Sequence, residues 1–120
     1  MYNYKARCVK VVDGDTLDLE IDLGFNVKIK ERVRLARVDT PEVRGKERED
    51  GLEAARFVSK KVFTHTPWLT SYDNDLYIQT EKKGKYGRWI AEISYQEDDV
   101  FYNLSDVLLK EGLAVEVDYD

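Results

Sequence analysis

The nine residues Arg34-Leu35-Ala36-Arg37-Val38-Asp39-Thr40-Pro41-Glu42 bring together two guanidinium groups, two carboxylates, a hydroxyl and a proline. Arginine is the side chain suited to gripping a phosphate through two parallel hydrogen bonds. Carboxylates beside it could hold a hard metal ion or orient a water molecule. Pro41 fixes its own φ and drives Thr40 toward an extended conformation, so Asp39 and Glu42 stand at a defined separation. Phosphoester chemistry is the function these groups suggest. Taken alone, an Arg/Asp/Glu cluster is more often a salt-bridged strand end, so the assignment turns on the rest of the chain.

The surrounding elements read as mostly β. Residues 4 to 12 form a strand rich in β-branched residues, followed by the hairpin signal Asp13-Gly14. Leu17, Leu19, Ile21 and Leu23 then alternate with Asp18, Glu20 and Asp22, a period-2 strand with one buried and one wet face. The third strand, from Val27 to about Val38, puts Val27, Ile29, Val33 and Leu35 on one side and Lys28, Lys30, Arg32 and Arg34 on the other. Strict alternation sets Asp39 opposite Arg34, so if both serve one site the strand must end or bulge near Ala36 to Val38. Residues 43 to 49 are polar and read as a mobile surface loop. Asp50 and Glu53 resemble a capping box opening a helix to about Phe63, with Leu52, Ala55, Val58 and Val62 on its inner face and Arg56, Lys60 and Lys61 outward. Strands are expected at Trp68 to Tyr72, Leu76 to Glu81 and Trp89 to Tyr95, with a basic turn from Lys82 to Gly87 presenting Arg88. Asn103 caps a short last helix that Gly112 stops.

A length of 120 residues suits one domain spanning 1-120, and 42% hydrophobic with 36% charged residues suits a globular protein with a busy surface. The single cysteine, Cys8, excludes an intrachain disulfide and, set among valines, reads as a buried small hydrophobe. The lone histidine, His65, makes a histidine-based metal site improbable. No apolar run approaches the roughly 18 residues of a membrane span, and the amino terminus lacks a signal-type apolar stretch, so no membrane association and a cytoplasmic location are expected. The net charge of −5 argues at first against a polyanionic partner, but residues 27 to 48 carry eight basic against four acidic side chains. A basic face on an acidic body suits an enzyme that must release its polyanion.

Several stretches, in order and at similar spacing, resemble the staphylococcal nuclease (thermonuclease) family: Val12-Asp13-Gly14-Asp15-Thr16, Val33-Arg34-Leu35 leading into Val38-Asp39-Thr40-Pro41-Glu42, Lys85-Tyr86-Gly87-Arg88, and Leu109-Lys110-Glu111-Gly112-Leu113-Ala114. The resemblance spans residues 5 to 115. It implies an α+β, mainly β fold: an OB-type five-stranded barrel with two to three packed helices. It also implies Ca²⁺-dependent hydrolysis of phosphodiester bonds in single-stranded or frayed DNA and RNA, with little sequence preference and 3′-phosphate products, by a monomer. By this resemblance Asp15, Asp39 and the Thr40 carbonyl would hold the calcium ion. Glu42 would act on the attacking water, Arg34 and Arg88 would grip the phosphate, and Lys85 and Tyr86 would help hold the nucleotide. Tyr119 is the one candidate for base stacking near the carboxy terminus, and the loop at 43 to 51 is shorter than in the secreted prototype.

An all-oxygen set of carboxylates and a carbonyl suits Ca²⁺ better than zinc or copper, in agreement with that implication. The competing readings are a non-catalytic OB-type module for single-stranded nucleic acid and a carboxylate-rich domain that only binds calcium or pairs its own charges. A pure binder has no use for carboxylates beside the phosphate, and a charge-pairing domain leaves the Lys85 to Arg88 turn unexplained.

Overall fold

The computed structural model describes residues 2–64, 72–73, 75–82 and 88–117. In chain order the elements are β1 (Tyr2–Asp13), β2 (Thr16–Asp22), β3 (Lys28–Leu35), β4 (Val38–Asp39), a 3-10 turn (Gly45–Glu47), α1 (Arg48–Val62), β5 (Phe63–Thr64), β6 (Tyr72–Asp73), β7 (Leu76–Lys82), β8 (Trp89–Glu97), β9 (Val100–Asn103), α2 (Leu104–Lys110) and β10 (Val115–Glu116). The main sheet runs β3-β2-β1-β7-β8-β9. Parallel pairing of Val33–Leu35 in β3 with Trp89–Ala91 in β8 closes five of these strands into a barrel. With α1 against β1 and α2 against β8, this is an OB-type α+β barrel.

Closure needs a curved first strand. The β1–β2 ladder shifts register between Cys8 and Lys10 and again between Val11 and Asp13, two irregularities that bend β1 around the core. Side-chain alternation then fills the interior: Leu17, Leu19, Val33, Leu35, Leu76, Ile78 and Ile93 are buried, as is Cys8. Outward charges pair across strands, Arg32 with Asp18 and Arg7 with Glu20.

Five details differ from the sequence reading. The hairpin loop is Gly14-Asp15, because Asp13 still pairs with Thr16. Val27 and Ile29 are exposed, since β8 meets β3 only from Val33 onward and the β2–β3 hairpin extends past the barrel. The segment 43 to 49 is largely a 3-10 turn and the first residues of α1, which begins at Arg48 with Glu47 as its N-cap residue, so Asp50 is helical and not a cap. The inner face of α1 is Gly51, Ala54, Val58 and Val62 in place of Leu52 and Ala55, and Lys61 folds back to pair with Glu97. The strand β9 carries no strong signal of its own and forms by hairpin pairing with β8. The expected strand at Trp68 to Tyr72 and the turn at Lys82 to Gly87 lie almost wholly outside the described residues, as do His65 and Tyr119.

The break after β3 decides where the site lies. β3 ends at Leu35, and Arg37 takes a left-handed φ of 69° before β4 begins. Arg37 is held there by ion pairs to Glu92 and Asp106 and by a hydrogen bond to Asn103 Oδ1. The Asn103 side chain also accepts from Asp106 N–H and so caps α2. Burial pushes the Glu92 carboxyl up, but Arg37 and Asn103 outweigh it and hold its pKa below the ordinary 4.5. A depressed folded-state pKa stabilises the protein above the unfolded value and loses that contribution as pH falls through the folded one. Glu92→Gln is therefore expected to lower stability by about 1 kcal/mol at pH 7, with the difference from wild type shrinking as pH drops below 4.5, read by urea unfolding at several pH values.

Candidate functional site

Three separate pieces of backbone meet at the end of the barrel where β1 turns into β2. Asp15 sits in that turn, opposite the end of β3: its carbonyl accepts the Leu35 N–H at 2.8 Å, while Thr16 pairs with Arg34. Asp39 arrives on β4, fixed by pairing with Val115 of β10. The Arg34 guanidinium lies between the two acids, its Nη2 donating to Asp39 Oδ1 at 2.8 Å and to Asp15 Oδ2 at 3.4 Å. The expected break near Ala36 to Val38 is thus present, and it brings Arg34 and Asp39 to one side.

Asp15 is buried and well supplied with donors. Its Oδ1 accepts the Thr16 hydroxyl at 2.9 Å and its Oδ2 the Thr40 N–H at 3.0 Å, in addition to Arg34. Asp39 is half-exposed, and its pKa is raised above 3.8 by burial first and by the neighbouring Asp15 carboxyl second; Glu47 adds to the rise and Arg34 opposes it. Among the described residues, the Asp15 and Asp39 carboxylates thus share the Arg34 guanidinium. Among the described residues no three His, Cys, Asp or Glu side chains gather as a metal-ligating cluster. The Asp15 and Asp39 carboxylates, both bonded to Arg34 Nη2, are nevertheless oxygen donors of the kind a hard divalent ion takes. Thr40 Oγ1 is buried with no hydrogen-bond partner among the described residues, a further oxygen beside those donors.

Gly14 is needed for space. A Cβ on it would lie 2.8 Å from the Ala54 Cβ of α1 and 3.0 Å from Thr40 Oγ1, so only glycine lets helix and turn close on the Thr40 segment. Glu42 follows on this segment with an exposed side chain and with its N–H donating to Glu47 Oε2 at 3.2 Å. Arg88 is exposed just ahead of β8, two residues before Ile90, the register partner of Arg34. Lys85, Tyr86 and Tyr119 fall outside the described residues. Arg37, the other guanidinium of the nine-residue stretch, is engaged by Glu92 and Asp106 and does not join the cluster.

Sequence reasoning missed Thr16, Glu47 and Gly51 and gave Asp13 only a turn role, whereas Asp13 Oδ1 accepts the Val43 N–H at 3.2 Å. Gly51 left a signal: glycine inside a helix is disfavoured by about 1 kcal/mol relative to alanine, which points to close packing. Asp13 and Thr16 lie in the Val12–Thr16 stretch already singled out, which does not reveal that Asp13 bonds Val43, and Glu47 left no signal.

Comparison with known proteins places the chain in a family. The model of the family described as staphylococcal nuclease homologue matches residues 32–120, which contain Arg34, Asp39, Thr40, Glu42 and Arg88. An uncharacterized protein of Methanocaldococcus jannaschii is 32% identical over 131 aligned positions, covering 93% of this chain and 58% of that protein. The chain therefore spans less than two thirds of that relative's length. With the family model covering well over half of its residues, the chain belongs to the family of staphylococcal nuclease homologues.

Proposed function

We propose that the protein is a Ca²⁺-dependent nuclease that hydrolyses phosphodiester bonds of single-stranded or frayed DNA and RNA. The observation that carries this reading is the Arg34 guanidinium set within hydrogen-bond reach of both Asp15 and Asp39, acids delivered by different elements. Family membership supports it. A simple strand-end ion pair needs one acid for its arginine, whereas Arg34 bonds both Asp15 and Asp39.

In this mechanism Arg34 and Arg88 bind the non-bridging phosphate oxygens and grip them harder as negative charge builds during attack. A phosphate arriving at Arg34 competes with Asp15 and Asp39 for the same N–H groups. Glu42 holds the attacking water and accepts its proton, contributing mainly by placing that water for in-line attack. Calcium, held by Asp15, Asp39 and the Thr40 carbonyl, would supply Lewis-acid polarisation of the phosphate when bound. Lys85, Tyr86 and Tyr119 are assigned to the nucleotide on the strength of the family resemblance alone.

Cleavage of a fluorophore–quencher single strand by the pure protein, in millimolar calcium and in chelator, tests the reading. Signal restricted to calcium is the expected result; strand binding without cleavage would move the assignment to a non-catalytic binding module. Arg34→Ala is expected to lower kcat by roughly 10²–10³-fold, the scale of losing one charge-stabilising donor. Glu42→Gln is expected to lower the rate by about 10²-fold or more while the calcium Kd, read by calorimetry, stays within about two-fold.

Asp39→Asn has a two-sided signature. A carboxyl whose folded-state pKa lies above 3.8 opposes folding once it ionises, so the opposition appears as pH rises past that value. In calcium-free buffer at pH 7 the variant is expected to melt higher than wild type, with the gap closing near pH 3.5, while its calcium-dependent stabilisation and cleavage fall. An unchanged calcium response would remove Asp39 from the ligand set.

A further inference from the structure

The segment that carries Glu42 is pinned from three directions. The end of β1 and the turn after it supply two carboxylates: Asp15 Oδ2 accepts the Thr40 N–H at 3.0 Å and Asp13 Oδ1 accepts the Val43 N–H at 3.2 Å. These two bonds bracket Pro41 and Glu42. Between them, Glu47 Oε2 accepts the Glu42 N–H at 3.2 Å. From the third side comes α1, whose Gly51 leaves no room for a side chain. A Cβ there would stand 2.0 Å from the Glu42 carbonyl oxygen, 2.3 Å from its carbon and 2.8 Å from Val43 N.

Two of these features work against the helix they belong to. Glycine inside α1 is disfavoured by about 1 kcal/mol relative to alanine. Glu47 occupies the N-cap position of α1, yet makes no side-chain cap bond among the described residues and directs its carboxylate to the Glu42 N–H. Both departures act on one residue, and that residue's own side chain is exposed and adds no packing to the core. Helix stability has no use for such an arrangement, whereas fixing the Glu42 main chain beside the Asp15–Arg34–Asp39 cluster does.

We infer that Asp13, Glu47 and Gly51 are positioning residues that lock the Glu42 main chain, so that its carboxylate is presented at a set distance from the Asp15–Arg34–Asp39 cluster. The inference rests on the nuclease reading above. It explains the short 43 to 51 segment, whose 3-10 turn and first turn of α1 form a rigid backstop where a long loop would leave Glu42 adjustable. It also gives Asp13 a role separate from the metal, since its carboxylate is committed to the Val43 amide.

A double-mutant cycle tests it. Gly51→Ala is expected to lower kcat at least ten-fold with KM and calcium Kd within two-fold, and to have less than a two-fold further effect in the Glu42→Ala background. Equal losses in both backgrounds, or a Gly51→Ala enzyme with wild-type kcat, would overturn the inference. Because Gly51→Ala can disturb folding, Glu47 gives a second arm. Glu47→Ala is expected to lower kcat three- to ten-fold and Glu47→Gln, which keeps the acceptor oxygen but not the charge, to restore most of it; identical losses in the two variants would reduce Glu47 to a charge. Hydrogen exchange of the Glu42 and Val43 amides is expected to be slow in wild type, and fast exchange at both would defeat the clamp whatever the activity. A wild-type protein that cleaves nothing would sink the nuclease reading and this inference with it, whereas an active wild type with an additive cycle would sink the inference alone.

Discussion

The two-residue interruption at Ala36-Arg37 is the constraint on which the site depends. In an unbroken strand Arg34 and Asp39, five residues apart, would face opposite ways. The break sets them 2.8 Å from each other. A left-handed conformation at a non-glycine residue costs about 1–2 kcal/mol, so something must hold it. Here the strained residue's own side chain does so through Glu92, Asn103 and Asp106, while its carbonyl accepts the Val117 N–H at 2.8 Å. Ala36 is fixed as well, its N–H donating to the Ala91 carbonyl and its carbonyl accepting the Ser105 hydroxyl. Most of the groups holding the break come from β8, α2 and the segment after it, elements that contribute no carboxylate to the site. They act on the site by keeping β3 from running on.

A second constraint is closeness. The Asp13-Gly14-Asp15 turn, the Thr40–Val43 segment and the first turns of α1 share one small volume, and two glycines make that possible. Dense backbone packing of this kind leaves polar groups with few alternatives, so the N–H groups of Thr40, Glu42 and Val43 all end on carboxylates. Burial first, and then the neighbouring Asp15 carboxyl, raises the pKa of Asp39. Stability alone would favour fewer acids here. Their gathering around the Arg34 guanidinium is the feature that a bound cation would relieve.

Much of this was legible in the sequence because it is written in local patterns. Period-2 alternation located β2 and the end of β3, the Asn103 cap located α2, and the need to bring Arg34 and Asp39 together located the break. What escaped notice depends on partners that no local pattern marks. The start of α1 was misplaced because cap signals assume that an acidic side chain near a helix start serves that helix, and Glu47 instead serves Glu42. Arg37 and Arg34 are indistinguishable as phosphate ligands in the sequence; only the reach to Glu92 and Asp106 separates the structural arginine from the one at the site. Val27 and Ile29 alternate as inward residues should, but the strand that would cover them starts too late to do so.

Charge distribution reads differently once strands are paired. The local surplus of basic residues between 27 and 48 suggested a face that attracts a polyanion. Arg32 is bonded to Asp18, Lys28 approaches Glu20, and Arg37 is committed to Glu92 and Asp106, so a large part of that surplus is neutralised within the protein. Surface pairs of this kind add little stability, yet they cancel long-range field. Lys28, Arg32 and Arg37 therefore add little to a basic face. Under the proposed nuclease reading, Arg34 differs from these three in that its hold on a phosphate would change with the charge of the reacting group. Binding that strengthens as charge develops, and slackens after it, favours turnover over tight retention.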